Sequence, residues 1–539
     1  MDLIIKNGKI VDGTGNPWYK ADICIENGKI AKIGRIKDMK SEKLIDAKGL
    51  IVCPGFIDVH SHADPSIFIN AKQESTVRQG ITTHVVGNCG LSLAPINSDT
   101  VDLLTNYFEE LLPSCKEQKI EWTTFEEYLK KAEERNLSTN MVHLVGHGTI
   151  RIAVMGVEAR EPNEIELTKM KSLVDEAMQA GAIGLSTGLL YPPGMFAKTD
   201  ELIELSKVVS RYNGIYSSHI RSYGGQLRKS LNEAIEIGEK ARVKVQVSHL
   251  SVFGSPFWGS SKRVLRIIEK ARTKGIEVNS DMHPYDSVSA ELITLLPPWA
   301  HEGGKGKLLE RLKDKESREK IKQDQLHGSE GRDEWAPPDI IGWENVLVIM
   351  FSTEKNKFLE GKSIKDIAEL RNTDPLSALH EILIEENANL NMIIIHLRGE
   401  EDIIRFMQEP LVAFETDAST TAPYGVLAES KPHPRGYGTY PKILGEFVRE
   451  KQIISLEEAI RKMTSLPAIS VDLFDRGLLK DGFWADVVIF NPNTIIDKAT
   501  YADPHQYPEG IEYVIVNGEI VIEQGNHTEK LPGKVLRHQ

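Results

Sequence analysis

The stretch PGFIDVHSHAD, Pro54 to Asp64, decides how the rest of the chain is read. A short apolar run ends in two histidines, His60 and His62, with one residue between them. In an extended segment alternate side chains point the same way, so both imidazoles can face one ion. Taken alone the pair is a weak signal, because two solvated loop histidines are written the same way. The residues around it carry the reading.

Downstream, short apolar runs alternate with helical stretches. The runs are GFIDVH, TTHVVG, MVHLVG, AIGLST, GIYSSH, VKVQVSH, IEVNSDM and PLVAFETD, and segments such as ELTKMKSLVDEAMQAG and SLNEAIEIGEKAR separate several of them. Eight strand-helix units are what a (β/α)8 TIM-like barrel requires, which makes the fold class α/β. A doubly wound sheet is the second architecture compatible with the alternation. The seventh and eighth runs are separated by residues 285 to about 410, including the charged KLLERLKDKESREKIKQDQ. That is too long for a plain crossover, so an inserted subdomain near the barrel mouth is expected there.

The two ends of the chain share a different grammar. DLIIKNGKIVDG and DICIENGKIAKIG are alternating strands turned at Asn-Gly, a strong hairpin signal, and ADVVIFNP and IEYVIVNGEIVIEQG repeat it near the other end. Neither end can bury a core alone. Residues 1–55 and 475–539 are therefore expected to form one small β-sandwich, with the barrel domain spanning 56–474.

The 539 residues, 40% hydrophobic and 27% charged, suffice for a sizeable core. A net charge of −13 without a compensating basic block argues against nucleic acid or an anionic membrane as partner. The first residues lack a basic region followed by a continuous apolar core, and no run approaches the roughly eighteen apolar residues of a membrane span, so a cytoplasmic location is expected. Four cysteines without CxxC spacing, Cys24, Cys53, Cys89 and Cys115, fit free thiols in a reducing compartment. Three read as small buried apolar residues; Cys89 does not.

Placed on the expected strands, the unusual residues fall at one end. His60 and His62 close the first strand, Cys89 follows the second, His219 ends the fifth, His249 ends the sixth and Asp417 ends the eighth. In a barrel these carboxyl ends form one face, where active sites of this fold are built. Imidazole, thiolate and carboxylate together suit zinc or a similar divalent ion. Cys89, His219 and His249 are expected around a tightly bound Zn2+, with His60, His62 and Asp417 near a second, weaker position. Such an ion polarises a carbonyl and lowers the pKa of bound water to about 7, and Asp417 can take that water's proton and return it to a leaving nitrogen.

With those residues in view, the sequence resembles the amidohydrolase superfamily, and more narrowly its N-acyl-D-amino-acid deacylase (D-aminoacylase) group. The matching stretches run nearly end to end: GITTHVVGNCGLSLAP, LVGHGTIR, GAIGLSTGLLYPPG, YSSHIRS, VQVSHLSVFG, LLPPWAHEGG, HPRGYGTYPKILGEFVRE, LEEAIRKMTSLPA and GFWADVVIFNP. In such relatives a cysteine bridges the metal in place of the carboxylated lysine of many cousins, which fits Cys89 and the GLST of the fourth strand. The resemblance implies zinc-dependent hydrolysis of a small-molecule N-acyl-D-amino acid to a carboxylate and a free D-amino acid, with Asp417 as proton shuttle. It implies that Arg435, in HPRGYG, pairs with the substrate α-carboxylate, for which a guanidinium fork is well shaped. Tyr191 and Ser289 are further pocket candidates.

The departures concern the pocket and spare the ligands. Relatives read SHLK or SHHK on the sixth strand, with a lysine near the substrate carboxylate; here Ser251 stands in SHLS. Where relatives read DAYPY followed by AGST, this chain reads DMHPYDSVSAE, so His283 replaces a tyrosine, and Val288 and Ala290 replace glycine and threonine. Around the catalytic acid, FETDAS replaces a glycine or serine followed by SDG. The expectation is an intact hydrolytic centre with an altered pocket.

The third strand adds His143 and His147. His147 is expected in the pocket or behind the metal ligands, and His143 in the core; His433 is expected to fix the loop before Arg435. Rival readings are a cyclic amidase of the hydantoinase or dihydroorotase kind, a dipeptidase taking a D residue, and a non-catalytic scaffold. The fourth strand offers no lysine, which counts against the first; six retained ligands count against the last. Whether the chain forms a homo-oligomer stays open.

Overall fold

The computed structural model describes residues 1–36, 40–97, 99–105, 120–328 and 338–538, so Cys115 lies outside the described residues. Eight parallel strand segments follow one another in space as they do in sequence: Phe56–Asp58, Ile81–Val86, Asn140–His143 continued by Val145–Gly146, Gly184–Gly188, Ile215–His219, Lys244–Val247, Val278–Met282 and Val412–Phe414. Each coincides with one of the eight apolar runs. Ile81–Val86 is buried at every position, the mark of a parallel strand covered on both faces.

The order of neighbours returns to its start. The Asp417 amide donates to the His60 carbonyl at 2.9 Å, and the His62 amide to the Ala418 carbonyl at 3.0 Å, which joins the chain beyond the eighth strand to the chain beyond the first. Lower in the same seam, the Tyr440 hydroxyl lies 3.1 Å from the carbonyls of both Ile57 and Phe414, while its aromatic face stacks on Phe56 at 5.3 Å.

Helices pack between the strands. Glu164–Ala180 and Leu227–Ala241 match the helical stretches read from sequence. Asn163 opens the first of these with a capping box to Glu166, and Gly181, at φ 109°, ends it. Between the seventh and eighth strands the chain builds a three-stranded antiparallel sheet, Val288–Glu291, Val346–Ile349 and Asn391–Ile394, with helices that include Gly304–Lys313, Lys315–His327 and Pro375–Glu385.

Strands from both chain ends share one nine-stranded sheet, in which Ile51–Pro54 pairs antiparallel with Val487–Phe490. Leu3, Ile5, Ile23, Ile25 and Val52 from one end pack with Val487, Ile489 and Ile515 from the other. Ile51–Pro54 continues within two residues into the first strand of the circle, so this sheet anchors the segment that carries His60 and His62. No helix among the described residues is long and apolar enough to cross a membrane.

Candidate functional site

The six expected ligands converge at the carboxyl ends of the strands. Cys89 Sγ lies 3.3 Å from His60 Nε2, 3.7 Å from His219 Nδ1 and 3.6 Å from His249 Nε2. Asp417 Oδ1 lies 3.2 Å from His62 Nε2 and 3.5 Å from His60 Nε2. Two groups result, His60, His62, Cys89 and Asp417 on one side and Cys89, His219 and His249 on the other, and Cys89 belongs to both.

The backbone is bent to bring them there. Cys89 (φ 53°), His249 (φ 36°) and Asp417 (φ 47°) all occupy the left-handed region, which side-chain-bearing residues rarely adopt. The Cys89 turn also presses on the fourth strand: a Cβ on Gly188 would lie 2.1 Å from the Cys89 carbonyl oxygen. Position 188 thus has no room for a side chain while the Cys89 turn keeps its place. The His219 imidazole is held edge-on between Tyr191 at 4.8 Å and Tyr223 at 5.2 Å.

Burial pushes the Cys89 thiol well above its usual range and lowers His60 and His219 to about 3. Neutral imidazoles have lone pairs free to donate, and a bound cation would reverse the thiol's shift. Burial alone would raise the Asp417 carboxyl. The Arg435 guanidinium, with Nη1 2.8 Å from Oδ2, and the imidazoles of His62, His249 and His60 outweigh it and hold the group well below the usual carboxylate range.

A cavity of about 140 Å³ opens beside these groups, lined by His62, Cys89, His219, His249, Asp417 and the pocket candidates Tyr191, Ser251, His283, Ser289 and Arg435. Leu91, Leu190, Phe253, Val288, Ile349 and Met350 give it apolar walls. His147 is not among the lining residues: its Nε2 lies 2.8 Å from Glu201, which also receives Arg151, in a buried ion cluster. His433 reaches the cavity but is engaged, with Nδ1 accepting the Arg435 amide at 3.0 Å and Nε2 2.7 Å from the Ser287 hydroxyl.

Four charged residues that the sequence reading passed over support the site. Asp58 accepts the Thr416 amide at 2.9 Å and its hydroxyl at 2.6 Å, fixing the residue next to Asp417. Asp281 accepts the His249 amide at 2.5 Å and lies 3.9 Å from His60 Nδ1. Glu415 is buried with neither carboxyl oxygen hydrogen-bonded among the described residues, and burial, then Asp417 and Asp281, push it well above the usual range. Arg398 braces His283 from behind. The three acids had one signal, a carboxylate inside or ending an apolar strand, a place charge avoids without a partner.

A buried cysteine-histidine cluster beside a carboxylate, at the carboxyl ends of a circle of parallel strands, defines a metal-dependent hydrolase of amide bonds. The amidohydrolase family matches residues 43–238 and 357–522, and this chain belongs to it. Within that family, relatives that match nearly the whole chain at 31–32% identity are deacylases. The chain is 31% identical to a D-aminoacylase of Alcaligenes xylosoxydans xylosoxydans, over 99% of this chain and 97% of that protein. It is 32% identical to an N-acyl-D-glutamate deacylase of the same organism, over 100% and 96%. The solved structure of N-acyl-D-glutamate deacylase from Bordetella bronchiseptica, complexed with zinc and a phosphonate mimic of the tetrahedral intermediate, superposes with a TM-score of 0.81 at 31% identity, covering 100% of this chain and 99% of that one. The resemblance read from the motifs is borne out.

Proposed function

We propose that this protein hydrolyses the amide bond of N-acyl-D-amino acids, releasing a carboxylate and a free D-amino acid. The observation that carries the reading is the meeting, in one apolar-walled cavity, of the Cys89 cluster, Asp417 and the buried cation Arg435. The circle of strands supports a (β/α)8 barrel over residues 56–474 with an insertion over about 285–410, and the sheet shared by the two chain ends supports a β-sandwich from 1–55 and 475–539.

The donors fit zinc. Around a tetrahedral Zn2+, with bonds of about 2.3 Å to sulfur and 2.0–2.1 Å to nitrogen, neighbouring ligand atoms stand roughly 3.3–3.6 Å apart. The sulfur-to-nitrogen separations of 3.3, 3.6 and 3.7 Å match that spacing. Cys89, His219 and His249 would hold one ion, and His60, His62 and Asp417, sharing Cys89, a second, weaker one. An ion held there would lower the pKa of a bound water and polarise the scissile carbonyl.

The chain's own groups do the rest. Arg435 holds the substrate α-carboxylate, aided by Ser289 and His283, and so fixes the amide over the cluster. Asp417, kept unprotonated by its cationic neighbour, takes a proton at a carboxylate oxygen and delivers it to the leaving nitrogen. Tyr191 walls the acyl side, and Ser251 leaves the substrate carboxylate without the ammonium that relatives place near it. His147, outside the cavity, steadies the third-strand loop through Glu201.

The test is acetate release by the zinc-loaded protein from N-acetyl D- and L-amino acids, with D-hydantoins as a second panel. Release from D substrates, reduced by about 10²–10⁴-fold in Asp417→Asn with the tight metal retained, is expected. Turnover of hydantoins alone would sink the proposal.

A further inference from the structure

Arg398 sits just outside the cavity, between the strand Asn391–Ile394 and the helix Glu400–Gln408, and is only 3% exposed. Its Nη1 lies 3.1 Å from His283 Nδ1, and donates to the carbonyls of His283 at 3.0 Å and Tyr285 at 2.9 Å. The Tyr285 amide points at the same Nδ1 from 3.4 Å. Nη1 has two N–H groups to share among these three acceptors, and neither a guanidinium nor an amide N–H can accept a hydrogen bond, so the imidazole proton has no place on Nδ1 and resides on Nε2.

Nε2 faces the cavity side, 3.4 Å from Arg435 Nη1. With the proton on Nε2, two donors face each other there: Arg435 Nη1 also reaches Asp417 Oδ2 at 2.8 Å, whereas Nε2–H meets no acceptor among the described residues. Arg435 Nε is also buried without a partner among the described residues. Converging buried donors are costly unless an acceptor arrives to share them. Burial, then the charges of Arg398 and Arg435, hold the His283 imidazole well below its usual pKa, so it stays a neutral donor.

We propose that Arg398 is a positioning residue: by occupying Nδ1 it fixes the His283 tautomer that turns Nε2–H, with Arg435, toward one carboxylate of the substrate. The pair then supplies the polar contact for which Ser251 offers no ammonium group. Arg398 comes from the segment between the seventh and eighth strands, which thus shapes recognition through a residue that does not itself line the cavity as well as through those, such as Ser289, that do. The inference rests on the deacylase reading only in taking a carboxylate-bearing amide as substrate.

The experiment compares N-acetyl-D-leucine with N-acetyl-D-leucinamide, which lacks the carboxylate, by acetate release from zinc-loaded protein. Arg398→Met is expected to raise KM for the acid about tenfold, the effect of roughly one charge-assisted hydrogen bond, with kcat little changed and the carboxamide KM unmoved. Arg398→Lys should recover part of the loss, and adding Arg398→Met to His283→Phe should cost nothing more, because both act through one contact. Equal losses on acid and carboxamide, or additive effects, would overturn the proposal.

A second readout needs no turnover. In full-length zinc-loaded protein labelled with 15N-histidine, the His283 signals are identified by their absence in His283→Phe. They should report an unprotonated Nδ1 in the wild type and a mixture of tautomers in Arg398→Met. An unchanged tautomer in Arg398→Met overturns the role of Arg398 whatever the activity. A fixed wild-type tautomer that becomes mixed in Arg398→Met, in a protein inert toward both amides, would sink the deacylase reading and leave the positioning role standing.

Discussion

Arg435 Nη1 stands 2.8 Å from Asp417 Oδ2, both side chains largely buried, so the cation proposed to receive substrate is paired with the acid proposed to move the proton. A carboxylate substrate must enter this pair and share the guanidinium. Arg435→Met removes the substrate's partner and leaves Asp417 without its main counter-charge, a change that typically costs about 3–5 kcal/mol for a buried pair. Steady-state kinetics should give a fall in kcat/KM of at least about 100-fold, with only part recovered by Arg435→Lys, whose ammonium cannot reproduce the fork. Retention of wild-type kcat/KM in Arg435→Met would exclude the pairing from the reaction.

Gly188 tests the geometry of the cluster. A methyl group there would sit 2.1 Å from the Cys89 carbonyl, so the Cys89 turn must move. Gly188→Ala is expected to lower metal content after dialysis and to destabilise the metal-free protein by about 1–3 kcal/mol, the usual cost of overpacking. Metal analysis and denaturant melts check both, and full metal retention would mean that the Cys89 turn tolerates displacement.

Ser251 lines the cavity, its hydroxyl donating to the His249 carbonyl at 2.7 Å. Ser251→Lys puts an ammonium into a pocket whose walls are otherwise apolar apart from its polar end. The ratio of kcat/KM for N-acetyl-D-leucine to that for N-acetyl-D-leucinamide is expected to rise about tenfold or more. A ratio that stays put would place the substrate carboxylate out of reach of residue 251.

Acid sensitivity should come from buried histidines away from the cluster. Burial, and behind it nearby basic side chains, lowers His380 to about 4. Burial likewise lowers His301 to about 4 against an opposing hydrogen bond to the Leu296 backbone. An unfolded histidine titrates near 6.5. Between those values the unfolded chain takes up protons that the folded chain refuses, so stability is complete above about pH 6.5 and declines as pH falls toward 4. Each group contributes up to about 3 kcal/mol of that loss. His380→Gln, which can keep the hydrogen bond made to Gln325 at 2.7 Å, should flatten the decline in urea melts between pH 7 and 4.5. An unaltered slope would remove His380 from the account.

Much of this was legible in the sequence because parallel strands buried on both faces read as unbroken apolar runs, and a polar residue at the end of such a run stands out. His60, Cys89, His219, His249 and Asp417 were found that way, and the structure brings them within a few ångströms of one another. Asp58, Asp281 and Glu415 carried a similar signal but no spacing, since their partners lie across the circle of strands. Arg398 had none: its partner His283 lies 115 residues away, through a segment whose path no periodicity dictates. His147 shows the converse, a histidine near a strand end that is satisfied by Glu201 outside the cavity. The left-handed backbone at Cys89, His249 and Asp417 is equally silent, because each is a residue type that does not advertise positive φ.

The pairing of Ile51–Pro54 with Val487–Phe490 sets a timetable for the ribosome. His60 and His62 emerge early, yet Asp417 and the strand that anchors their segment are made tens of seconds later, at about 5–20 residues per second. While they wait, the early histidines and Cys89 lack both Asp417 and the strand Val487–Phe490 that anchors their segment. Metal loading in its final form is therefore a post-synthetic event, and a messenger truncated before codon 417 yields a chain that can neither close its circle nor complete its coordination.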